Sequence, residues 1–552
     1  MSHKTINHVY KPSINLEIPD VDILTLLFDH TGCHSNNDTL LHIDAAVPFL
    51  ALNKFQARNL TRRIAYALRA HYNIGSRGDP GIVTCISSGN HILPCVFYGC
   101  VAAGGIFSAV SSTSTSKDLT RVLKNSSNGL IVCSPDTKQT AIVAANECNI
   151  SHSHVLEIDA PAGAIRRLSD GSNVITSRAM DWAKITDRTR LSNTPVCLIY
   201  SSGTTGLPKG VPLSHRNLVA SCIIANECFS ERIKVFNPQF AYRTIAHLPT
   251  AHIAGLQGYF INPVYMGGPV YWMQSFDFQK FLHYNRIYRI TFSFTVPPIY
   301  LQIAKSTSVT DHFKYLEVAL SGAAPLSKEL QYSASSKLGK AFINQTWGLS
   351  ETTGSATVLP YPFKDDTGSV SSLIPNVEAR VIDADGNDVA PGDIGEILLR
   401  GPNVFAGYCK NESANNDAFL DGWFRTGDIG QFKNGLVYLV DRKKELIKYN
   451  GLQVAPAELE GLLLSHSSIQ DAAVIGVKWR NTEAPRAYIV ADPKVISANE
   501  VAQFIKNNVA KHKQLRGGVI FVPSIPKSPS GKILRRELRD MAKLEIGQQT
   551  KL

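Results

Sequence analysis

Short apolar runs alternate with amphipathic segments through the first 200 residues. Residues 81–86, 129–133 and 196–200 are apolar runs of strand length, whereas residues 55–68 and 138–149 repeat apolar side chains at helical spacing. Strands that alternate with helices favour a parallel sheet covered by helices on both faces. The pattern therefore predicts an α/β scaffold for this part of the chain.

The pattern changes after about residue 368, where turns separate short strand-like runs. These runs predict a β-rich subdomain, and they are residues 377–382, 395–399 and 435–440. After the basic stretch 441–448, the order becomes helix, two strands and helix, which is typical of a compact α+β unit. The segments of that unit are residues 457–464, 472–477, 486–490 and 498–509.

The predicted fold class is therefore α/β. A large N-terminal domain, residues 1–441, would hold stacked α/β subdomains and the β-rich subdomain. A small mobile α+β domain would occupy residues 442–552. A chain of 552 residues exceeds a single hydrophobic core, which agrees with two or more domains.

The composition, with 44% hydrophobic and 18% charged residues, is that of an ordinary globular protein. Ten cysteines are scattered without a Cys-x-x-Cys pair, which predicts reduced, mostly buried thiols without disulfides or zinc. Residues 91–110 are long enough to span a membrane, but Pro94 and three glycines favour a buried helix and turn. Residues 1–20 do not follow the pattern of a secretory signal.

The strongest candidate for chemistry comes directly after the apolar run 196–200. There the chain becomes a loop of hydroxyls and glycines that ends in a lysine. Such a loop suits a polyanion, because glycine lets backbone N–H groups turn inward and the hydroxyls and ammonium add donors. It is not a P-loop, since Pro208 and Gly210 flank the lysine. The candidate phosphate-binding residues are Ser201, Ser202, Gly203, Thr204, Thr205, Gly206 and Lys209.

The order Ser-Ser-Gly-Thr-Thr-Gly-Leu-Pro-Lys-Gly at residues 201–210 resembles the signature loop of the adenylate-forming superfamily. The resemblance extends over about residues 40–545 and is strongest to the 4-coumarate:CoA ligase and phenylacetyl-CoA ligase branch, particularly its fungal members. It implies an ATP-dependent ligase that forms an acyl-adenylate, releases pyrophosphate and passes the acyl group to CoA. A carrier-protein thiol as acceptor, or a luciferase-type oxygenase, remains an alternative.

Two further motifs, residues 342–352 and 423–430, match the nucleotide site of that superfamily. By the resemblance, Trp347 stacks on adenine in place of the commoner Tyr, Asp428 accepts the ribose hydroxyls, and Arg442 lies near the ribose. Glu351 and Thr205 are the implied Mg²⁺ ligands, since a hard cation prefers oxygen donors. The remaining implied nucleotide-binding residues are Gly322, Ala323, Gln345, Gly348 and Ser350.

The resemblance also assigns residues to the two half-reactions. Lys532, in the stretch 525–536, would bridge the carboxylate and the α-phosphate, and His252 would stand at the mouth of the acyl pocket, whereas His247 does not match. Lys444 is the implied hinge of a rotation of the C-terminal domain. The loop that would serve thioester formation contains Lys448, Gly451 and Gln453, with Asn450 in place of a frequent Lys.

The expected acyl pocket is apolar, lined by Ile253, Leu256, Gly322, Ala323 and Gly348, which suits an aromatic, medium-chain or branched acid.

The formal net charge of +11 is concentrated in residues 506–552, with eleven Lys or Arg against three Asp or Glu. Without interleaved aromatics this tail does not favour nucleic acid, and a domain that closes over ATP and CoA needs the same charge.

The last three residues, Thr-Lys-Leu at 550–552, approach the Ser-Lys-Leu peroxisomal address. We therefore expect a peroxisomal location, with the cytoplasm as the alternative. The sequence leaves the oligomeric state and the identity of the acid open.

Overall fold

The computed structural model describes residues 8–76, 78–124, 129–201, 209–528 and 531–549. Its first large element is a seven-stranded sheet that is parallel at its centre, with an antiparallel strand at each edge. Across the sheet the strands are Ala164–Arg167, Val155–Asp159, Leu130–Cys133, Ile82–Ile86, Ile106–Val110, Pro195–Ser201 and Lys209–Ser214.

Alternate residues of this sheet enter two different cores, because successive side chains of a strand point to opposite faces. Leu130 and Val132 pack with the helices Lys54–Tyr72 and Leu93–Ala102. Ile131 and Cys133 pack on the other face with residues of two shorter helices. The predicted parallel sheet with helices on both faces is confirmed.

Two smaller sheets come next in the large domain. One contains Thr244–Ala246, Val270–Trp272, Leu40–Asp44 and Ala51–Asn53, in that spatial order. The other is parallel and contains Phe292–Thr295, Val318–Ser321 and Ile343–Gln345. The carboxyl ends of its strands meet at one edge, where Thr295, Ser321 and Gln345 are neighbours in register. In open α/β sheets this edge is where ligands bind.

The predicted β-rich subdomain is a five-stranded antiparallel sheet. Its strands are Glu378–Ile382, Gly395–Arg400, Trp423–Lys433, Phe419–Leu420 and Leu436–Arg442. The inward side chains of Val381, Ile397 and Val437 share a core with the long helix His215–Phe236. This packing brings the β-rich sheet against the α/β part of the large domain.

The C-terminal segment has a core of its own, which includes Leu459, Val474, Ile489 and Val501. Its sheet contains Asp471–Trp479, Thr482–Val490 and Val519–Phe521. Its other elements are the hairpin Ile447–Tyr449 and Leu452–Val454 and the helices Pro456–Ser465, Ala498–Asn508 and Arg535–Gln549. The α+β architecture predicted for this segment is confirmed. The boundary at 441/442 stays a prediction.

The remaining helices surround these sheets. They are Ile23–Phe28, Ser116–Leu123, Lys138–Glu147, Arg188–Asn193, Ile253–Gly255, Asn262–Met266, Phe278–Ile287, Pro297–Lys305, Lys328–Ser335 and Glu412–Ala418, with a π-helical segment Leu256–Ile261. Two short strand pairs, Gly348–Leu349 with Gly354–Ser355 and Thr357–Val358 with Ser372–Leu373, complete the large domain.

The structure of residues 91–110 differs in one respect from the buried helix and turn that the sequence predicts. The segment contains the predicted buried helix, Leu93–Ala102, but it then continues into the sheet strand Ile106–Val110, where we expected only a turn. The strand forms because it pairs on both sides with neighbours distant in sequence. Among the described residues, no helix combines the length and the apolar character needed to cross a membrane.

All ten cysteine thiols are free, and seven of them are buried. Burial raises the pKa of the Cys85 and Cys197 thiols. Buried thiols of this kind behave as small hydrophobic side chains.

Candidate active site

The turn that carries Lys532 is fixed by its own backbone and docks on the large domain. Ser528 N donates to Lys532 O at 2.8 Å, and Lys532 N donates to Ser528 Oγ at 3.1 Å. Gly531 has a φ of +81°, and a Cβ there would lie 3.2 Å from Pro298 Cγ. The left-handed backbone favours glycine at this position, and a side chain there would also crowd Pro298.

The side chain of Lys532 reaches the predicted nucleotide residues of the large domain. Burial lowers the pKa of Lys532 to about 8, assisted by the positive charge of Arg442 and opposed by the carboxylates of Asp428 and Glu351. Burial and then the charge of Lys532 lower the pKa of His252 to about 3. The structure thus gathers Lys532, His252 and the two carboxylates into one site.

The predicted ribose carboxylate, Asp428, is buried and held from both sides. Trp347 Nε1 donates to Asp428 Oδ2 at 2.8 Å, and Arg442 Nε lies 3.3 Å from Asp428 Oδ1. Asp428 and Arg442 are also paired in register between adjacent strands. Trp347 is itself only 6% exposed. Its indole therefore orients the carboxylate, a contact that an adenine-stacking role alone does not predict.

The predicted metal carboxylate, Glu351, is buried beside a tyrosine. Tyr408 Oη donates to Glu351 Oε1 at 2.9 Å, and no hydrogen bond from a described residue reaches Glu351 Oε2. One carboxylate oxygen with room for another ligand fits Mg²⁺, which typically takes one or two carboxylates and completes its shell with phosphate and water. Among the described residues, no group of three or more His, Cys, Asp or Glu side chains is placed to hold a metal.

The phosphate loop begins and ends on paired strands. Ser201 closes one strand and Lys209 opens the next, and the two are register partners at the sheet edge. Lys209 Nζ lies 4.7 Å from the centre of the Tyr408 ring. The predicted loop residues Ser202, Gly203, Thr204, Thr205 and Gly206 lie outside the described residues.

The predicted adenine turn needs its small residues. A Cβ at Gly322 would lie 2.9 Å from Phe294 Cζ, and one at Gly348 would lie 1.9 Å from the carbonyl oxygen of Gly354. Ala323 has a φ of +70°, a strained conformation of the kind that clusters at functional sites. Buried Gln345 accepts a hydrogen bond from Leu326 N through its side chain at 3.2 Å. Ser350 is buried at the start of the short helical turn that carries Glu351.

The two histidines of the segment 247–252 have different environments. Nδ1 of His247 lies 3.0 Å from Ile245 O and Nε2 lies 2.8 Å from Thr295 Oγ1, so both ring nitrogens are used inside the fold. His252 begins the helix Ile253–Gly255 and accepts from Ala254 N through Nδ1 at 3.2 Å. Ile253 and Leu256 are buried beside it.

The predicted thioester residues are not part of this cluster. Lys448, Gly451 and Gln453 are exposed on the hairpin, and Lys448 N donates to Glu483 Oε2 at 2.8 Å within the C-terminal sheet. Asn450 and Gly451 have φ values of 48° and 79°, as a two-residue turn of the primed type requires. Asn tolerates this conformation better than Lys, which gives a reason for the unusual residue. The predicted hinge residue Lys444 is exposed.

Sequence reasoning missed Tyr408. It stands alone in a loop after Gly407, and no local pattern marks such a tyrosine as functional. Only its contacts with Glu351 and Lys209 show where it lies.

A lysine turn of a small α+β domain that docks on a large α/β domain near buried carboxylates is the arrangement expected of an adenylate-forming enzyme. The sequence model of the AMP-binding enzyme family matches residues 55–409, and that of the AMP-binding enzyme C-terminal domain matches residues 458–532. The chain belongs to the AMP-binding enzyme family.

Relatives match it over nearly their whole length. A protein of Emericella nidulans that carries the name of an acyl-coenzyme A synthetase is 46% identical over 98% of this chain and 100% of its own. The phenylacetyl-CoA ligase epaB of Aspergillus niger is 35% identical over 95% of this chain and 98% of its own. The crystal structure of ATP-bound MatB from Rhodopseudomonas palustris is 26% identical, with a TM-score of 0.80, over 95% of this chain and 99% of that one.

The family match and these relatives give the class of enzyme. The chain is an AMP-forming acyl-CoA ligase.

Proposed function

We propose that the chain activates an apolar carboxylic acid, aromatic, medium-chain or branched, with Lys532 as the catalytic lysine. The observation that carries this proposal is the position of Lys532, whose turn packs against Pro298 of the large domain and whose charge is influenced by those of Asp428, Glu351 and Arg442. Buried Ile253 and Leu256 beside His252 support an apolar acyl pocket.

In the first half-reaction, a carboxylate oxygen of the acid attacks the α-phosphorus of ATP. The new bond joins that oxygen to phosphorus, the bond to the β-phosphate oxygen breaks, and pyrophosphate leaves. The Lys532 ammonium would contact both anions and stabilise the charge as it moves between them. Lys209 and the loop 201–206 would hold the β- and γ-phosphates.

Glu351, together with Thr205, would hold Mg²⁺, which when bound neutralises charge on the phosphates. Asp428, oriented by Trp347 and Arg442, would accept the ribose hydroxyls. Trp347, Gly322, Ala323, Gln345, Gly348 and Ser350 would form the adenine side of the site.

In the second half-reaction, the CoA sulfur attacks the acyl carbonyl carbon and AMP leaves. The Lys532 side chain would then obstruct the approach of the thiol to the adenylate, while Lys448, Gly451 and Gln453 lie exposed on the hairpin. We propose that the part of the C-terminal domain after Lys444 rotates about this residue between the two steps, which exchanges the lysine turn for the hairpin.

Pyrophosphate release across a panel of carboxylic acids, with and without CoA, tests the proposal. One acid or class of acids is expected to drive release, and acyl-CoA is expected only when CoA is added. The variant Lys532→Ala should lose pyrophosphate release. If no apolar acid is activated, the proposed substrate class is wrong.

We also propose that the terminal Thr-Lys-Leu, which lies outside the described residues, directs the protein to peroxisomes. A fluorescent protein that carries residues 541–552 should colocalise with a peroxisomal marker, and removal of residues 550–552 should return it to the cytoplasm. Diffuse fluorescence of the intact fusion would contradict the proposal.

A further inference from the structure

Tyr408 joins two residues that lie on different sides of the phosphate site. Its hydroxyl donates to Glu351 Oε1 at 2.9 Å, and its ring centre lies 4.7 Å from Lys209 Nζ. The two partners come from different parts of the large domain, the turn after the three-stranded sheet and the edge strand of the seven-stranded sheet. One side chain therefore contacts both the predicted metal carboxylate and the predicted phosphate-binding lysine.

The ring is held in place by its own backbone and by a neighbouring aromatic residue. The Asn415 side chain accepts from Tyr408 N at 2.6 Å and donates to Tyr408 O at 3.1 Å. The Phe405 ring packs edge-on against it, with the ring centres 4.9 Å apart. A side chain restrained in this way can orient its partners at little cost in conformational entropy.

The segment that carries Tyr408 is also hydrogen-bonded to both sides of the phosphate site. Cys409 N donates to Gly210 O at 3.1 Å, one residue from Lys209. Phe405 N donates to Glu351 O at 2.8 Å. Residues 405–409 therefore fix the distance between the lysine strand and the carboxylate turn.

Each contact suits a ligand that carries phosphates and a cation. The hydroxyl holds Oε1 of Glu351 and leaves Oε2 without a hydrogen bond from a described residue. The face of the ring attracts the Lys209 ammonium without neutralising it, so its charge stays available to an anion.

We propose that Tyr408 is a positioning residue that sets the Glu351 carboxylate and the Lys209 ammonium for the β- and γ-phosphates of magnesium-bound ATP. The inference rests on the roles proposed above for Glu351 and Lys209. It adds a residue that touches neither substrate and acts through both of these side chains.

Titration calorimetry on the full chain tests this without knowledge of the acid. The ligands are ATP with Mg²⁺, ATP with EDTA, and AMP, which lacks the β- and γ-phosphates. Tyr408→Phe removes the hydroxyl and keeps the ring, so it should weaken binding of ATP with Mg²⁺ roughly three- to tenfold. Its binding of AMP, and of ATP with EDTA, should stay within about twofold of the unmodified chain.

Tyr408→Leu removes the ring as well. It should also weaken the binding of ATP in the presence of EDTA, roughly two- to fivefold, because Lys209 loses its contact with the ring. The matched control is Tyr438→Phe, which removes a hydroxyl that donates to Thr367 Oγ1 at 2.8 Å on the surface. This control should bind all three ligands as the unmodified chain does.

A double-mutant cycle locates the effect. In a Glu351→Gln background, Tyr408→Phe should weaken binding of ATP with Mg²⁺ by less than about twofold. If Tyr408→Phe weakens the binding of ATP with Mg²⁺ as much in the Glu351→Gln background as in the unmodified chain, the inference is overturned, because the hydroxyl then acts elsewhere. Equal losses for ATP and AMP would overturn it too, since they indicate a general structural role. Failure of the unmodified chain to bind ATP at all would instead refute the proposed function.

Discussion

The nucleotide side of the site and the hairpin that would serve CoA are built in opposite ways. Asp428, Glu351 and Trp347 are buried and have hydrogen-bond partners in the large domain. Lys448 and Gln453 are exposed and face each other on the two strands of the hairpin at the surface of the C-terminal segment. The residues for one half-reaction are therefore preorganised in this conformation, and those for the other are not. A rigid site for the first step and a movable part for the second fit a ligase with two half-reactions.

The largest expected effect is that of Lys532→Ala. The variant removes the cation from an otherwise intact site, so pyrophosphate release should fall roughly 10²- to 10³-fold. Thioester formation from a supplied acyl-adenylate should fall less than about threefold, because the lysine serves only the first step. Assays of the two half-reactions on the same protein measure both. Parallel loss in both would break the contrast between the two regions.

The buried histidines give the preorganised region a pH dependence. Burial lowers the pKa of His247 to about 4, against about 6.5 in an unfolded chain. The unfolded state therefore binds more protons than the native state between these values, and stability falls as the pH drops from 6.5 to 4. This one group should cost roughly 2–3 kcal/mol of unfolding free energy across that range.

Urea unfolding at several pH values measures this slope. His247→Gln keeps a polar side chain but cannot titrate, so its unfolding free energy should change less between pH 6.5 and 4 than that of the unmodified chain. An unchanged slope would show that His247 has the same pKa in the native and the unfolded states, which contradicts the prediction.

Lys448→Ala probes the exposed region alone. If the hairpin enters the site after rotation, CoA capture should slow roughly tenfold while pyrophosphate release stays within about twofold. Lys478→Ala is a matched control, since Lys478 is an exposed lysine on the neighbouring strand Asp471–Trp479. A deficit in adenylation for Lys448→Ala would mean that the hairpin takes part in the first step as well.

The smallest expected effect concerns the indole of Trp347. Trp347→Phe keeps an aromatic face but removes the donor to Asp428, so the KM for ATP should rise roughly three- to tenfold. The preference for ATP over 2′-deoxy-ATP should shrink, because the ribose carboxylate loses an orienting partner. Steady-state kinetics with both nucleotides measure this, and GTP serves as a control for adenine recognition. An unchanged preference would refute the orienting role of Trp347.

Much of the architecture could be predicted from local patterns. Apolar runs between helical segments predicted the parallel strands. The polar residues Ser214 and Asn217 mark the start of the helix at His215, where they form its capping box. The miss at residues 106–110 arose because a short apolar strand next to a buried helix has no period of its own. Strand pairing over long sequence separations decided that segment.

The motifs determined which residues meet in the site, and tertiary packing determined how they meet. The sequence alone selected Lys532, Glu351, Asp428 and His252, through the resemblance of the motifs around them to those of the adenylate-forming superfamily. Only the tertiary structure turned the Trp347 indole toward Asp428 and placed Tyr408 between Glu351 and Lys209. Local sequence constrains φ and ψ, whereas the direction of a buried side chain depends on neighbours that folding brings from distant parts of the chain.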